Sequence, residues 1–287
     1  MAVLTTSVEG LWVLQALLGV ESMPVALHLK PFIPSAHGSL IVETDSGSVP
    51  LAHTAQYHGL VAAGVIDEHG HVDDVVRDWM KVLGRPDREA VLVIRRPSGQ
   101  PSDDDTPTVC ERVMVVCLHR RWMAMAARDE NEIVIGGVGE ADDPDRQIEL
   151  MCRVLVPAFG ECGAAEIDGV NVEMDVLLAA MGAAASSGRE AISAALARVG
   201  LPPREVEVVT AATRLDESAM AVVSLIDHGL DIHAHPRVLT VADTDFGRVS
   251  FTTMTGADGK QWMSIWPTTP AGLRDDLTEL LSARRGA

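Results

Sequence analysis

The chain has 287 residues, 47% of them hydrophobic, and a formal net charge of −18. That length and apolar content suffice for one large core or two joined ones, while no apolar run approaches the ~20 residues of a bilayer span. The acidic balance excludes nucleic acid, whose phosphates need Lys and Arg to neutralise them, and it speaks against anionic membrane surfaces and membrane insertion.

In chain order, residues 4–7 read as a short apolar strand, and Val8, Glu9, Leu11, Trp12, Leu14 and Ala16 continue it into a helix that stops near Gly19. Residues 72–83 have helical spacing. Strands are predicted over 88–96, 109–118, 122–127 and 132–136, with a turn at Asp129, Glu130 and Asn131. Pro144 suits the first turn of a helix that runs to about residue 156. The series then starts again. A strand enters a helix over 167–182, a helix is predicted at 203–213, and strands follow at 218–226, 237–242, 248–253 and 261–266. Pro270 opens a last helix to about residue 282.

This order is a repeat. Val8, Glu9, Leu14 and Ala16 match Val172, Glu173, Leu178 and Ala180 at a single offset of 164. A second register, at 140, would align Trp122-Met123 with Trp262-Met263 but would leave one half without its last hairpin strand. The expected organisation is two halves, 1–160 and 161–287, each running strand, helices, four strands, helix. Both should share one sheet as a single compact unit, because residues 159–166 are too short and too apolar for a flexible tether.

Motifs that carry chemistry are sparse. Asp67, Glu68, His69, His71, Asp73 and Asp74 gather around Gly70 like a metal cluster, yet they fall where the chain turns between helices, and Asp73 or Asp74 suits a helix N-terminus. His233 and His235, with Asp227 and Asp231 nearby, read as a loop between strands. Residues 97–107 form a polar, acidic, Pro-rich insert without calcium-loop spacing. Gly136, Gly137, Val138 and Gly139 lack the Lys-Ser/Thr ending of a phosphate loop, and Ser186, Ser187 and Gly188 read as a linker and helix cap. Cys110, Cys117, Cys152 and Cys162 show no zinc-like spacing and read as reduced thiols. No cofactor, metal or catalytic constellation is identified.

Several segments carry a family resemblance along almost the whole chain. They are the opening from Val8 to Glu21, His28 to Phe32, Trp79 to Arg88, and the run from Gly247 through Trp262-Met263 to Pro270. Together they resemble the EspG family, cytosolic chaperones of mycobacterial type VII (ESX) secretion systems, and the opening is most similar to members serving the second and fifth of these systems. The tail departs from the pattern, ending in Ala283, Arg284, Arg285, Gly286 and Ala287 rather than continuing into a Pro-x-Gly-x-Trp-like stretch. The resemblance implies an α+β fold with a central, mainly antiparallel β-sheet, N- and C-terminal helical bundles on its flanks, and pseudo-two-fold internal duplication.

It also implies a function without catalysis. The chain is expected to be a cytoplasmic chaperone that binds the apolar tip of the PPE subunit of PE–PPE heterodimers, keeps them soluble and directs them to their own secretion machine. The family places much of the contact on the sheet and the C-terminal bundle. The partner-binding candidates here are Met174, Leu177, Leu178 and Met181, which share one helix face, Asp227, Asp231, His233 and Arg237 from a strand-linking loop, and Trp262, on one strand face with Trp266. A weak homodimer through sheet edges is a further possible partnership. The rival reading from another class is a metal-dependent enzyme built on the histidine–carboxylate turn at 67–74.

Overall fold

Strand β1 (Val3–Ser7) passes directly into helix α1 (Val8–Leu18), because the Ser7 hydroxyl accepts the Gly10 N–H at 3.1 Å and closes the helix start. Gly19 ends α1 in the left-handed region at φ 63°. The computed structural model describes residues 2–29, 41–44, 47–98, 109–184 and 188–283. Lys30, Pro31 and Phe32, most of the acidic insert at 97–107, Ser186, Ser187 and the last four residues lie outside the described residues.

A two-stranded hairpin, β2 (Ile41–Thr44) with β3 (Gly47–Pro50), and helix α2 (Ala55–Ala62) come next. Helix α3 (Asp74–Gly84) starts where Asp73 accepts the N–H groups of Val75 and Val76. Then follow β4 (Arg88–Pro97), β5 (Val109–His119), β6 (Trp122–Asp129), β7 (Glu132–Glu140) and α4 (Pro144–Ala158). The chain continues with β8 (Val170–Glu173), α5 (Met174–Ala184), α6 (Gly188–Val199) and α7 (Pro203–Ala212). It closes with β9 (Ala219–His228), β10 (Ile232–Ala234), β11 (Leu239–Thr244), β12 (Gly247–Thr255), β13 (Gln261–Pro267) and α8 (Pro270–Leu281).

All strands but β2 and β3 belong to an eleven-stranded sheet in the order β1-β7-β6-β5-β4-β9-β11-β12-β13-β8, with β10 alongside β9. The pairings of β1 with β7, β5 with β6, β6 with β7, β9 with β11, β11 with β12, β12 with β13 and β13 with β8 are antiparallel. The fold is therefore α+β, with a large antiparallel sheet and eight α-helices among the described residues. Helices α2 and α6, the β2–β3 hairpin and strand β10 were not legible as elements. The expected loop from Asp227 to Arg237 is also shorter than the sequence suggests. Asp227 and His228 end β9, and Ile232, His233 and Ala234 form β10.

The chain divides into two compact units, each made of three segments. One spans 1–91, 112–151 and 226–233, the other 92–111, 152–225 and 234–287, so β4, β5 and β9 are each split between them. In the first unit Leu11, Leu14, Met80, Leu83, Ile133 and Ile135 are fully buried. The glycines of β7 serve packing there. A Cβ on Gly137 would lie 2.6 Å from the Trp79 indole nitrogen, so only glycine lets α3 settle against the sheet.

In the second unit, Leu177 of α5, Ile192, Ala195 and Leu196 of α6 and Val206 and Val209 of α7 pack against Val172 of β8 and Ile265 of β13. Arg248, 1% exposed, fastens the connector ahead of β8 to β12. Its guanidinium holds Asp243 through two hydrogen bonds of 2.6 and 2.8 Å and donates to the carbonyls of Phe159 and Gly160 at 3.3 and 3.1 Å. Its backbone meets Gly163 and Ala165 at 2.6 and 3.1 Å. A buried arginine is tolerable only when its charge is matched and its N–H groups find acceptors, and both conditions hold here.

Candidate functional site

The edge of the sheet in the second unit has two unlike faces, set by alternation along the strands. On one face Val172, Ile265, Val170, Met263 and Phe251 meet the cluster formed with α5, α6 and α7. On the other, Trp262, Ser264 and Trp266 of β13 lie opposite Met254, Thr252 and Ser250 of β12, and Trp262 and Ser264 also lie opposite Glu173 and Asn171 of β8. Ser250 is 4% exposed, and the carboxyl of Asp276 on α8 hydrogen-bonds it. Burial, more than any neighbour, pushes that carboxyl above its ordinary range. The rest of the face is more open: Trp266, the cross-strand partner of Ser250, is 47% exposed, and Met254, farther along β12, is 53% exposed.

Two polar pairs lie among these apolar side chains. Ser264 Oγ donates to Asn171 Oδ1 at 2.6 Å, and Lys260 Nζ donates to Glu173 Oε2 at 2.8 Å at the rim. The Trp266 ring lies so close over Gly169 that a Cβ there would come within 2.5 Å of it. An apolar platform with internally paired polar groups can accept a partner's apolar surface without stranding donors or acceptors.

Two concavities flank the outer end of the β12–β13 hairpin. One, of about 270 Å³, is lined by Val170, Val172, Val176, Val199, Leu201 and Trp262. The other, of about 430 Å³, is bordered by Met254, Thr253, Gln261, Pro236 and the Arg237–Glu279 ion pair of 2.7 Å. Met254 and Trp262 are direct cross-strand partners, so one residue pair contributes to both.

The candidate residues separate on inspection. Leu177 is 7% exposed and belongs to the core, whereas Leu178 is 59% and Val176 46% exposed. Met174 and Met181 are half-buried, and Met181 packs on the core cluster. The four positions that share a helix face by spacing thus divide into core and surface. Trp262 lines the first concavity and Arg237 the second. Asp227 is buried against Arg88 in a two-pronged pair of 2.6 and 3.0 Å, which makes it a fastening within the first unit. Asp231 and His233 are exposed on the β9–β10 hairpin. Sequence reasoning missed Val176 and Met254, and also Leu230 and Ile232, which are 107% and 73% exposed at the same hairpin. The available signal for the last two was an apolar pair inside a polar stretch of Asp, His and Gly.

The histidine–carboxylate turn serves local structure. Asp67 Oδ1 accepts the N–H groups of His69 and His71 at 2.9 and 2.7 Å, and Ile66 bridges to Val72 across the turn. The His71 backbone bond is the main cause that holds the Asp67 carboxyl below its ordinary range. Among the described residues no group of three or more His, Cys, Asp or Glu side chains could hold a metal ion. No helix among them is long and apolar enough to cross a membrane.

The described residues thus combine a large antiparallel sheet with a half-exposed apolar platform on β12 and β13. The sequence profile of the EspG family matches residues 7–279, and the chain belongs to that family. It is 28% identical over 258 residues to the ESX-2 secretion-associated protein EspG2 of Mycobacterium tuberculosis, covering 88% of this chain and 85% of the relative. It is 26% identical over 282 residues to the ESX-5 secretion-associated protein EspG5 of the same organism, covering 93% and 89%. A solved structure of the type VII secretion system chaperone EspG5 of M. tuberculosis, in complex with a PE25–PPE41 dimer, shares the fold. It superposes with a TM-score of 0.75 at 21% identity, over 100% of this chain and 98% of that one.

Proposed function

We propose that this protein is a cytoplasmic type VII secretion chaperone. It binds a PE–PPE heterodimer through the PPE subunit, keeps it soluble and directs it to its cognate secretion system, and it performs no chemistry on it. The observation that carries the reading is the match to a secretion-associated family over residues 7–279, joined to a shared fold with a chaperone solved together with its PE–PPE dimer. The half-exposed Met254 and Trp266, with Trp262, Val176 and Leu178, support an apolar contact surface in the second unit. Lys260, Glu173, Arg237 and Glu279 supply a charged rim. Binding suppresses aggregation by mass action, since an occupied apolar tip cannot self-associate.

The test is co-expression with PE–PPE pairs from the same genome, with one partner tagged, followed by size-exclusion chromatography. A soluble 1:1:1 complex is expected. A folded protein that captures none of the pairs defeats the reading.

A further inference from the structure

We propose that Glu89 and His228 form a proton-dependent latch at the root of the β9–β10 hairpin, controlling how firmly the hairpin presents Leu230 and Ile232. Glu89 sits in β4 at 2% exposure, with its Oε2 3.2 Å from His228 Nε2. Its other oxygen, Oε1, is buried without a hydrogen-bond partner. Strand β5 brings Cys117, fully buried, and His119, whose Nδ1 lies 3.4 Å from Asp87 Oδ1. On the neighbouring positions Arg88 holds Asp227, and the hairpin carries the exposed Asp231 and His233.

With one proton between them, the carboxyl and the imidazole form a neutral pair, whichever of the two holds it. Loss of that proton leaves a carboxylate in the sheet interior with a bare oxygen, which is costly to bury. Burial pushes the Glu89 carboxyl above its ordinary value against the opposing pull of His228. Burial, reinforced by the nearby Glu89, pushes the Cys117 thiol well above its own. A carboxyl whose folded value is raised contributes stability that is complete below its unfolded value. That contribution is lost as pH rises through the folded value.

The hairpin is the side that yields. Ala90 and Val91, next along β4, are 0% and 5% exposed. His228 ends β9, its side chain is 27% exposed, and its N–H bonds Asp87 O at 2.9 Å. Beyond it the turn is held by Gly229 N–H to Asp231 O at 3.2 Å, with Leu230 wholly in solvent. Opening therefore costs few contacts there and many in β4.

Amide hydrogen exchange of the free protein tests the latch between about pH 5 and about pH 8, after correction for the intrinsic pH dependence of exchange. The protection of the His228, Gly229 and His235 amides is expected to fall at least about tenfold with rising pH, the equivalent of one unit of pKa difference between closed and open hairpin. Glu89→Gln should abolish the dependence, and His119→Asn should keep it. Should Glu89→Gln fail to fold, Glu89→Met carries the same comparison, since it fills the buried site without a titratable group. Protection that ignores pH in the unaltered protein, or a folded Glu89→Gln or Glu89→Met variant that keeps the full dependence, overturns the proposal. The bearing of the latch on cargo rests on the function proposed above. Exchange is read without PE–PPE, so a failed latch and a failed chaperone reading remain distinguishable.

Discussion

Leu177 and Leu178 are neighbours in sequence with opposite tasks. Leu177→Asp places a charge in the cluster of α5, α6 and α7, and the free protein should lose its cooperative thermal transition by circular dichroism. Leu178→Asp, at a position 59% exposed, should fold with an unchanged melting temperature. If the exposed face of α5 belongs to the cargo surface, the same variant should weaken PE–PPE binding at least roughly thirtyfold by titration, the loss of about 2 kcal/mol at a central anchor. Arg248 is a residue whose importance no motif announces. Arg248→Ala removes the partner of Asp243 and the donors to Phe159 and Gly160, and it should destabilise the fold by about 3 kcal/mol in urea titration.

At the level of elements, β7 and α3 are matched through the absence of a side chain. Gly137→Val drives a branched side chain into the Trp79 indole, and the expected cost is about 2 kcal/mol, visible as a lowered melting temperature with the secondary structure retained. Gly136 beneath Ala2 and Val3, Gly137 beneath Trp79 and Gly139 beside Leu150 each meet a different neighbour, so the run that imitates a phosphate loop in sequence serves packing. Strands with regular alternation and helices opened by Pro144, Pro203 or Pro270 were legible, because their signals are local. Helix α6 was not legible as an element although Ile192, Ala195, Leu196 and Val199 recur at helical spacing and Ser186, Ser187 and Gly188 read as a linker and helix cap ahead of it. The division of α5 between core and surface was not legible at all. It depends on where α6 and α7 pack, and a 3.6-residue period names a face without saying how far burial extends around it. The open side of β12 and β13 was likewise hidden, because alternation gives two faces and only tertiary packing decides which one is covered.

For the whole molecule, we propose that residues 1–160 and 161–287 descend from a duplicated unit, share one sheet and fold as one body. In support, the strand order β1-β7-β6-β5-β4 has its counterpart in β8-β13-β12-β11-β9. In each series an early strand returns to pair beside the last of four. Calorimetry should then give one transition whose calorimetric and van't Hoff enthalpies agree. Fragments 1–160 and 161–287, expressed separately, should each lack a cooperative transition. Two resolved transitions in the intact chain, or a fragment that folds alone, would refute it.

The partition of β4, β5 and β9 between the two compact units also bears on heredity. A gene segment can move between proteins as a cassette when its boundaries fall in linkers. Here every boundary between the units cuts through a strand or helix: Val91 to Leu92 in β4, Glu111 to Arg112 in β5, Met151 to Cys152 in α4, Leu225 to Ile226 in β9 and His233 to Ala234 in β10. Neither unit is a contiguous stretch of coding sequence. Recombination at any of these boundaries therefore breaks an element of the fold, and neither unit can move between genes as an intact cassette.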